Sequence, residues 1–368
     1  MEKPIAYLET KGNLKTTIKD FLTRILEEDL VDSLLVASGR EWSPLPMPTL
    51  FSDSREMELI DPLAPVSPFN TARQASRLLR SNTNQRLALV LRPCEIRALI
   101  ELAKLNQCQM DKILLIGIEC KGRMENRQFL EQLDTVENLT DEFYRDTNLQ
   151  EKICFSCATC LHFQPTSADI SFFITDNTNE VRIGVFANSN HGEEFLNTLG
   201  IQLLEDGESH QKQMKERVET RLKEREKRNA EIKEKINPMS AFQSLIANCL
   251  NCYNCRMACP VCYCKECVFI TDVFLHEPEL LLSRAQKKGQ LKMPTDTTMF
   301  HLTRLTHMSH SCVGCGQCSS VCPSDIPVAD IFRAVADEVQ DLYSYTAGLD
   351  VDQPPPYLAY KEKTEVKD

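Results

Sequence analysis

The chain has 368 residues, of which 42% are apolar and 26% charged, as is typical of a globular protein with more than one domain. Its 42 basic and 53 acidic residues give a net charge of −11, which argues against a nucleic-acid partner. The N-terminal residues lack an apolar stretch of signal-peptide length, and no segment could span a membrane, so we expect a cytoplasmic protein. The cytosol keeps thiols reduced, so metal binding explains the 17 cysteines better than disulfides do.

The first part of the chain predicts alternating helices and short apolar strands. Apolar residues recur at helical spacing over residues 14–30, and a buried strand is expected from Ser33. Two fully apolar segments, Leu87–Leu91 and Ile113–Ile118, flank a helical pattern, which favours two parallel strands with a crossover helix. We therefore expect an α/β domain with a mostly parallel sheet over residues 1–205.

Proline-rich segments predict loops between these elements. Pro44, Pro46 and Pro48 mark one such loop, and a helical stretch is expected near residues 70–80.

A long charged segment follows the first domain, over residues 206–237. Oppositely charged residues four apart, such as Glu224 and Arg228, favour a single long helix. We expect a solvated helix that joins two domains, with docking to a partner subunit as the alternative. Residues 238–345 are expected to form an alpha-helical ferredoxin-like domain, and residues 346–368 an extended tail.

Two identical cysteine runs dominate the second domain, and each is followed directly by a proline. The first run is Cys249, Cys252, Cys255 and Cys259, and the second is Cys312, Cys315, Cys318 and Cys322. Two-residue gaps let one loop supply three thiolates to a [4Fe-4S] cluster, whereas the fourth cysteine of such a run serves the other cluster in two-cluster ferredoxins. We therefore assign Cys322 to the cluster of the first run and Cys259 to that of the second. Zinc is the competing metal, but it gains nothing from a third Cys-x-x-Cys step and a proline.

Three more cysteines follow the first run: Cys262, Cys264 and Cys267. They could hold a further cluster with a remote cysteine such as Cys154, or act as alternative ligands. Three histidines between the runs are expected to be surface or packing residues: His301, His307 and His310. Helical segments are expected over Thr271–Leu282 and Thr297–His310, so this region resembles the alpha-helical ferredoxin domain of succinate dehydrogenase iron-sulfur subunits and heterodisulfide reductase small subunits.

The first domain contains a weaker cysteine group. Cys94 follows a predicted strand and opens a helix, where the helix dipole and Arg92 or Arg97 would favour a thiolate. Cys120 follows the next strand, so both cysteines should lie at the edge where open α/β sheets build their sites.

A loop with three cysteines could complete that group: Cys154, Cys157 and Cys160. Four thiols could converge on one cluster: Cys94, Cys120, Cys157 and Cys160. The alternative is that Cys94 and Cys120 are small buried hydrophobic residues. Cys108 fits no group, and we expect it to be structural.

Three segments in the same order, RPCEIRAL, IGIECKG and CATCLHFQPTSADIS, resemble the beta subunits of coenzyme F420-reducing hydrogenases and dehydrogenases. The resemblance covers about residues 14–185 and implies a [4Fe-4S] cluster beside a flavin, with ligands at Cys94, Cys120, Cys157 and Cys160. The added ferredoxin module is similar to that of formate dehydrogenase beta subunits and of proteins that feed heterodisulfide-reductase-type flavoproteins in anaerobes.

Two segments depart from that family's pattern. The glycine-rich segments expected near a flavin are replaced by TTIKDFLTRIL and FFITDNTNEVRIG. Without those glycines no anion cradle is visible, so the sequence leaves the presence of FAD open.

The sequence contains ligands for metal but no recognisable catalytic constellation or nucleotide-binding motif. We therefore expect an iron-sulfur subunit that relays electrons between a hydrogenase or formate dehydrogenase catalytic subunit and a heterodisulfide-reductase-like flavoprotein in an anaerobic complex. The alternative is an FAD-containing oxidoreductase subunit that exchanges hydride with coenzyme F420 or NAD(P)H. A zinc-stapled scaffold is a third, more remote hypothesis.

Overall fold

The computed structural model describes residues 4–9, 13–80, 85–175, 181–205, 207–271, 278–289 and 296–358. Its strands are β1 Ala6–Tyr7, β2 Ser33–Arg40, β3 Ser43–Phe51, β4 Leu87–Leu91, β5 Ile113–Ile118, β6 Ile170–Ile174 and β7 Ile183–Ala187. Its α-helices are α1 Leu14–Glu27, α2 Ala72–Leu78, α3 Pro93–Lys104, α4 Asn126–Leu133, α5 Leu139–Arg145, α6 Thr147–Glu151, α7 Phe155–Ala158, α8 Asn190–Thr198, α9 Glu208–Ile236, α10 Met239–Leu245, α11 Asn254–Ala258, α12 Pro278–Lys288, α13 Asp296–Met308, α14 Gln317–Ser320 and α15 Val328–Leu342. Short 3₁₀ helices span Ser54–Leu59, Val268–Ile270 and Ser309–Ser311. Part of the helix predicted over Thr271–Leu282 lies outside the described residues.

The strands form one mixed sheet in the order β1-β7-β6-β5-β4-β2-β3. Strands β2, β4, β5 and β6 are parallel to one another, whereas β1, β3 and β7 join through antiparallel pairings. The predicted parallel pair is confirmed, because Leu87 of β4 lies opposite Ile113 of β5 and α3 connects the two strands. The carboxyl ends of β4 and β5 therefore lie side by side.

The segment with Pro44, Pro46 and Pro48 is strand β3, so the prediction of a loop was wrong. Among the strands of the described ranges, β3 pairs with β2 alone and forms one edge of the sheet. An edge strand tolerates proline, because the missing N–H groups can lie on the side that has no neighbouring strand.

Apolar layers cover both faces of the sheet. On one face, α1 and α5 pack on the strands, and the Phe21 ring meets the Phe172 ring edge-on at 4.9 Å between centroids. On the other face, α2 and α3 share a single buried cluster with the cysteine-rich region; Leu99 of α3 and Ile331 of α15 both belong to it. The two halves of the chain are thus joined by a common core, a feature that the domain prediction does not contain.

The start of the predicted tail is anchored on α3. Ala347 is fully buried, and its carbonyl accepts a 2.8 Å hydrogen bond from Arg97 Nε. The buried Glu101 carboxylate accepts from the Gly348 N–H at 2.7 Å and from the Tyr345 hydroxyl. These contacts link residues about 250 positions apart in sequence, so they tie the end of the described chain to its first half. Residues 359–368 lie outside the described residues.

Substitution of Gly348 by alanine should test this anchor. Gly348 has a φ of +67°, and an added Cβ would lie 2.0 Å from the Arg97 carbonyl oxygen. Gly200 is a matched control, since its φ is +69° but nothing lies within 4 Å of an added Cβ. The left-handed backbone should cost about 1 kcal/mol in both variants, and the collision should add about 1–3 kcal/mol in Gly348→Ala alone. Equal falls in the thermal unfolding midpoints of the two variants would contradict the anchor.

Helix α9 is the charged segment of residues 208–236. It is not solvated all round, because Met214, Arg221 and Ile232 are buried. Arg221 donates to the Lys121 carbonyl at 2.8 Å, near the end of β5. Arg225 Nε donates to Asp337 on α15 at 2.8 Å. The helix therefore spans the two halves of the chain and contacts both.

Candidate iron-sulfur sites

The two cysteine runs fold into loops of the same backbone shape. In each run the residues two and four positions after the first cysteine adopt left-handed backbone angles. They are Asn251 (φ 52°) and Tyr253 (φ 58°) in the first run, and Gly314 (φ 67°) and Gly316 (φ 78°) in the second. These paired turns keep each loop compact, which suits a loop that supplies three thiols to one cluster.

Site I comprises Cys249, Cys252 and Cys255 of the first run, with Cys322 of the second. Burial raises the pKa of the Cys255 thiol, the nearby Arg304 opposes that rise, and charges on Cys249, Cys252 and Cys322 add to it. Cys322 is thus near enough to the first run for its charge to act on Cys255, and its assignment as the fourth ligand of site I stays a prediction. Cys252 is the exposed member of the site.

Site II comprises Cys312, Cys315 and Cys318 of the second run, with Cys259 of the first. Burial raises the pKa of Cys315 to about 12, and charges on Cys259 and Cys312 add to the rise. The pKa values of Cys312 and Cys318 are also raised, first by burial and then by Cys259. Cys259 thus lies close to all three cysteines of the second run.

Site III comprises Cys94, Cys120, Cys157 and Cys160. Cys94 lies in the first turn of α3, shortly after β4, and Cys120 follows β5. Burial raises the pKa of Cys120, with Arg92 opposing and Cys157 and Cys160 adding to the rise. The structure therefore brings the four cysteines of the first half to the carboxyl edge of the parallel strands, the place expected from their order.

The expected stabilisation of a Cys94 thiolate is not found. Burial raises the pKa of Cys94 well above its usual value, and the charge of Cys315 is the next largest contribution. Arg92 donates to the Val66 carbonyl at 2.8 Å and Arg97 to the Ala347 carbonyl at 2.8 Å, rather than to the thiol. The cost of burying a charged thiolate is larger here than the stabilisation that the N-terminus of α3 provides. A metal would therefore have to displace the proton of the Cys94 thiol.

The remaining cysteines of the prediction lie in two places. Cys154 lies next to site III, because its Sγ is 3.3 Å from Cys157 Sγ; that contact lowers the pKa of Cys154. Cys262 is buried beside Cys259 and Cys264, and burial raises its pKa to about 11. Cys264 is exposed and Cys267 half-buried. Cys154 thus contacts the site III loop, whereas Cys262 lies beside site II.

Sites II and III lie against each other. A Cβ added to Gly316, between Cys315 and Cys318, would lie 2.6 Å from the Ser156 side chain in the site III loop. Arg333 bridges the same two loops, since it donates to the Ser156 carbonyl at 2.9 Å and to the Gly314 carbonyl. Only glycine allows this close approach, which gives the repeated glycines of the second run a tertiary role.

A second bridging cation lies between sites II and III. Burial disfavours the charge of Arg123, but Cys154, Cys157 and, more weakly, Cys315 raise its pKa. Arg123 also donates to Ser320 Oγ at 2.6 Å, on α14.

Sites I and II share a buried arginine. Arg304 Nη1 donates to Cys255 Sγ at 3.2 Å, and Nη2 donates to the Cys255 carbonyl at 3.2 Å. Although burial disfavours its charge, thiolates at Cys255, Cys259 and Cys318 raise the pKa of Arg304. Sequence analysis missed this residue, because no local pattern distinguishes it from the other arginines of the chain.

The histidines between the runs occupy different environments. His301 is buried, with Nε2 3.4 Å from Cys249 Sγ, and burial lowers its pKa to about 4. The His310 ring packs on Tyr357 at 4.3 Å, and His307 is exposed. His301 is thus a neutral neighbour of site I.

All 17 cysteines lie among the described residues, and all are free thiols. In that part of the chain, no three His, Cys, Asp or Glu side chains converge closely enough to hold a single metal ion. A cubane cluster, unlike a single ion, binds each of its four thiolates at a separate corner. The four cysteines of each of sites I, II and III match this requirement in number and in chemistry.

A cavity of about 490 Å³ lies between the first turns of α9 and the β7 side of the sheet. Its lining includes Gln164, Asn188, His210 and Met214. His210 Nε2 lies 3.0 Å from a carboxylate oxygen of the buried Glu119, without the geometry of a regular hydrogen bond. Gln164 is four residues from Cys160, so the cavity adjoins the site III loop.

Among the described helices, none combines the length and the apolar character needed to cross a membrane.

Comparison with known proteins finds one matching family model and three similar beta subunits. The family described as 4Fe-4S binding domain matches residues 307–328, which contain the second cysteine run. The F420-dependent formate dehydrogenase subunit beta of Methanocaldococcus jannaschii is 26% identical over an alignment of 369 positions, which covers 90% of this chain and 91% of the relative. F420-dependent formate dehydrogenase 1 subunit beta of Methanococcus maripaludis is 28% identical, over 73% of this chain and 75% of the relative. Sulfhydrogenase 2 subunit beta of Pyrococcus furiosus is 30% identical over 112 residues, 25% of this chain and 31% of the relative.

The resemblance expected from three short segments therefore extends along nearly the whole chain. This confirms that the protein is a relative of the beta subunits of F420-dependent formate dehydrogenases and carries a 4Fe-4S binding domain in its C-terminal half.

Proposed function

We propose that this chain is an electron-transfer subunit of an oxidoreductase complex, with [4Fe-4S] clusters held at sites I, II and III. Such clusters, when bound, exchange single electrons. The protein supplies the twelve thiols of the three sites, the buried environment and the cations between the sites. No catalytic residue is assigned to the chain.

The observation that carries this proposal is the contact between the halves of the chain at sites II and III. Gly316 of the site II loop packs so closely on the site III loop that an added Cβ would lie 2.6 Å from the Ser156 side chain, and Arg333 donates to the Ser156 carbonyl at 2.9 Å. Arg304 links site II in turn to site I. The three groups of thiols therefore form one continuous series, which suits the passage of electrons from one end to the other.

The site I end of the series is suited to a partner protein. At site I, Cys252 is exposed, and Leu250 and Met257 beside it are also exposed. The named relatives are subunits of formate dehydrogenases and of a sulfhydrogenase. We propose a catalytic subunit of the formate dehydrogenase or hydrogenase type as one partner, and a heterodisulfide-reductase-like flavoprotein as the other.

Chemical analysis of the anaerobically purified chain tests the proposal. We expect about twelve iron atoms and as many labile sulfides per chain, and no flavin. About eight iron atoms would limit the clusters to two sites and contradict a three-site relay. Zinc without labile sulfide would instead support a structural metal protein.

The cavity beside the site III loop favours one second candidate, an FAD-containing subunit that exchanges hydride with coenzyme F420 or NAD(P)H. Its lining includes apolar side chains such as Met214, and the amide of Gln164, which is four residues from Cys160. One FAD per chain released on denaturation, with reduction of coenzyme F420 by the isolated chain, would favour this candidate. Flavin-free protein with its full iron content would eliminate it.

A further inference from the structure

Arg304 occupies an unusual position between two groups of thiols. Its side chain is buried and lies over the rings of Phe332, at 4.7 Å, and Phe300, at 5.5 Å. Its Nη1 contacts the Cys255 sulfur of site I, and its charge interacts with Cys259 and Cys318 of site II. Within the described residues, its Nε has no hydrogen-bond partner. Thiols therefore supply the principal opposite charge around this guanidinium.

We infer that Arg304 is a positioning residue shared by sites I and II, which raises the reduction potentials of both. This inference rests on the proposed function, because it requires clusters at these sites. It concerns a residue that is not a ligand and that the cysteine motifs do not contain.

The physical reason is electrostatic. Reduction adds one electron, and so one negative charge, to a cluster that already has four thiolate ligands. A buried cation stabilises this added charge more strongly than an exposed cation would, because the surrounding protein screens weakly. Hydrogen bonds to ligand sulfur act in the same direction.

The geometry predicts unequal effects on the two sites. Site I receives both the charge and the direct N–H···S contact with Cys255, whereas site II receives the charge alone. Site III has its own bridging cation, Arg123, and should be independent of Arg304.

The test is a redox titration of the full chain under anaerobic conditions, with each cluster followed by its electron paramagnetic resonance signal. In Arg304→Met, the ratio of reduced to oxidised site I at a fixed potential should fall about tenfold, which corresponds to a potential lower by about 59 mV for one electron. Site II should shift in the same direction by less, and site III should not shift. Arg304→Lys keeps the charge, so it should restore most of the site II potential but less of the site I potential.

His301 provides a matched control, because its Nε2 lies 3.4 Å from Cys249 of site I. His301→Gln should shift site I only. An unchanged site II potential in Arg304→Met would overturn the shared role, and unchanged potentials at both sites would overturn any positioning role. If the Arg304→Met protein does not retain iron, the potentials are measured in Arg304→Lys instead. Wild-type potentials at both sites in that protein would contradict the inference. Wild-type protein that lacks two such signals would instead overturn the proposed clusters themselves.

Discussion

Replacement of Cys259 by alanine should remove the cluster signal that depends on Cys315, although Cys259 belongs to the other cysteine run. Cys259 lies beside Cys312, Cys315 and Cys318 in the structure. The reciprocal variant, Cys322→Ala, should remove the signal that depends on Cys252, because Cys322 lies beside Cys255. Each variant should lose about four iron atoms, the content of one cubane.

Four variants with one control make this test decisive. Cys315→Ala and Cys252→Ala identify the signals of sites II and I, and Cys259→Ala and Cys322→Ala are then matched to them. Cys108→Ala is the control, since Cys108 is buried in the apolar core and belongs to none of the three sites. It should keep all its iron. If each cluster were held by the four cysteines of one run, Cys259→Ala would lose the signal identified by Cys252→Ala, and Cys322→Ala the signal identified by Cys315→Ala. That result would contradict crossed ligation.

Crossed ligation would also require the two runs to fold together. In the crossed ligation that we propose, each site takes its fourth thiol from the other run, so neither loop could complete a site alone. Metal binding would then contribute directly to the stability of the region that holds both runs.

Local features of this structure were predictable from the sequence. Cysteine spacing groups three thiols in each run, because the spacing limits how one short loop can turn. The apolar segments Leu87–Leu91 and Ile113–Ile118 predicted strands with these bounds, because both are buried on two faces. The order of strand, cysteine and helix predicted the edge at which Cys94 and Cys120 lie.

Features that depend on contacts distant in sequence could not be predicted in this way. Strand β3 was missed because proline disfavours strands in general, and only its edge position makes it acceptable. Arg97 contacts Ala347 across 250 positions, and nothing near either residue indicates the other. The same holds for Arg304 and Cys255, which are 49 positions apart. The contact between sites II and III depends on glycines whose importance appears only when Ser156 lies against them.

Substitution of Arg333 by methionine should separate sites II and III and destabilise both. The buried Arg333 donates to the Ser156 carbonyl at 2.9 Å, to the Thr159 hydroxyl and to the Gly314 carbonyl. These acceptors belong to the loops that hold Cys157 and Cys315. An unpaired buried acceptor costs about 1–3 kcal/mol, so we expect a loss on the order of 3 kcal/mol or more, even if water replaces part of the network.

The expected results are a lower thermal unfolding midpoint and faster release of about eight iron atoms to a chelator, while the iron of site I is retained longest. Arg127→Met is the control, because the Arg127 side chain is 92% exposed and its ion pair among the described residues is a surface contact with Glu131. Its effect on the free energy of unfolding should stay within about 0.5 kcal/mol.

Arg333→Lys keeps the charge, but a lysine lacks the planar fork that reaches three acceptors. Its unfolding midpoint and its rate of iron release should therefore lie between those of wild type and Arg333→Met. If Arg333→Met released iron no faster than Arg127→Met, the contact between the two loops would not depend on this arginine. Faster release from site I alone would show that Arg333 supports a different part of the molecule.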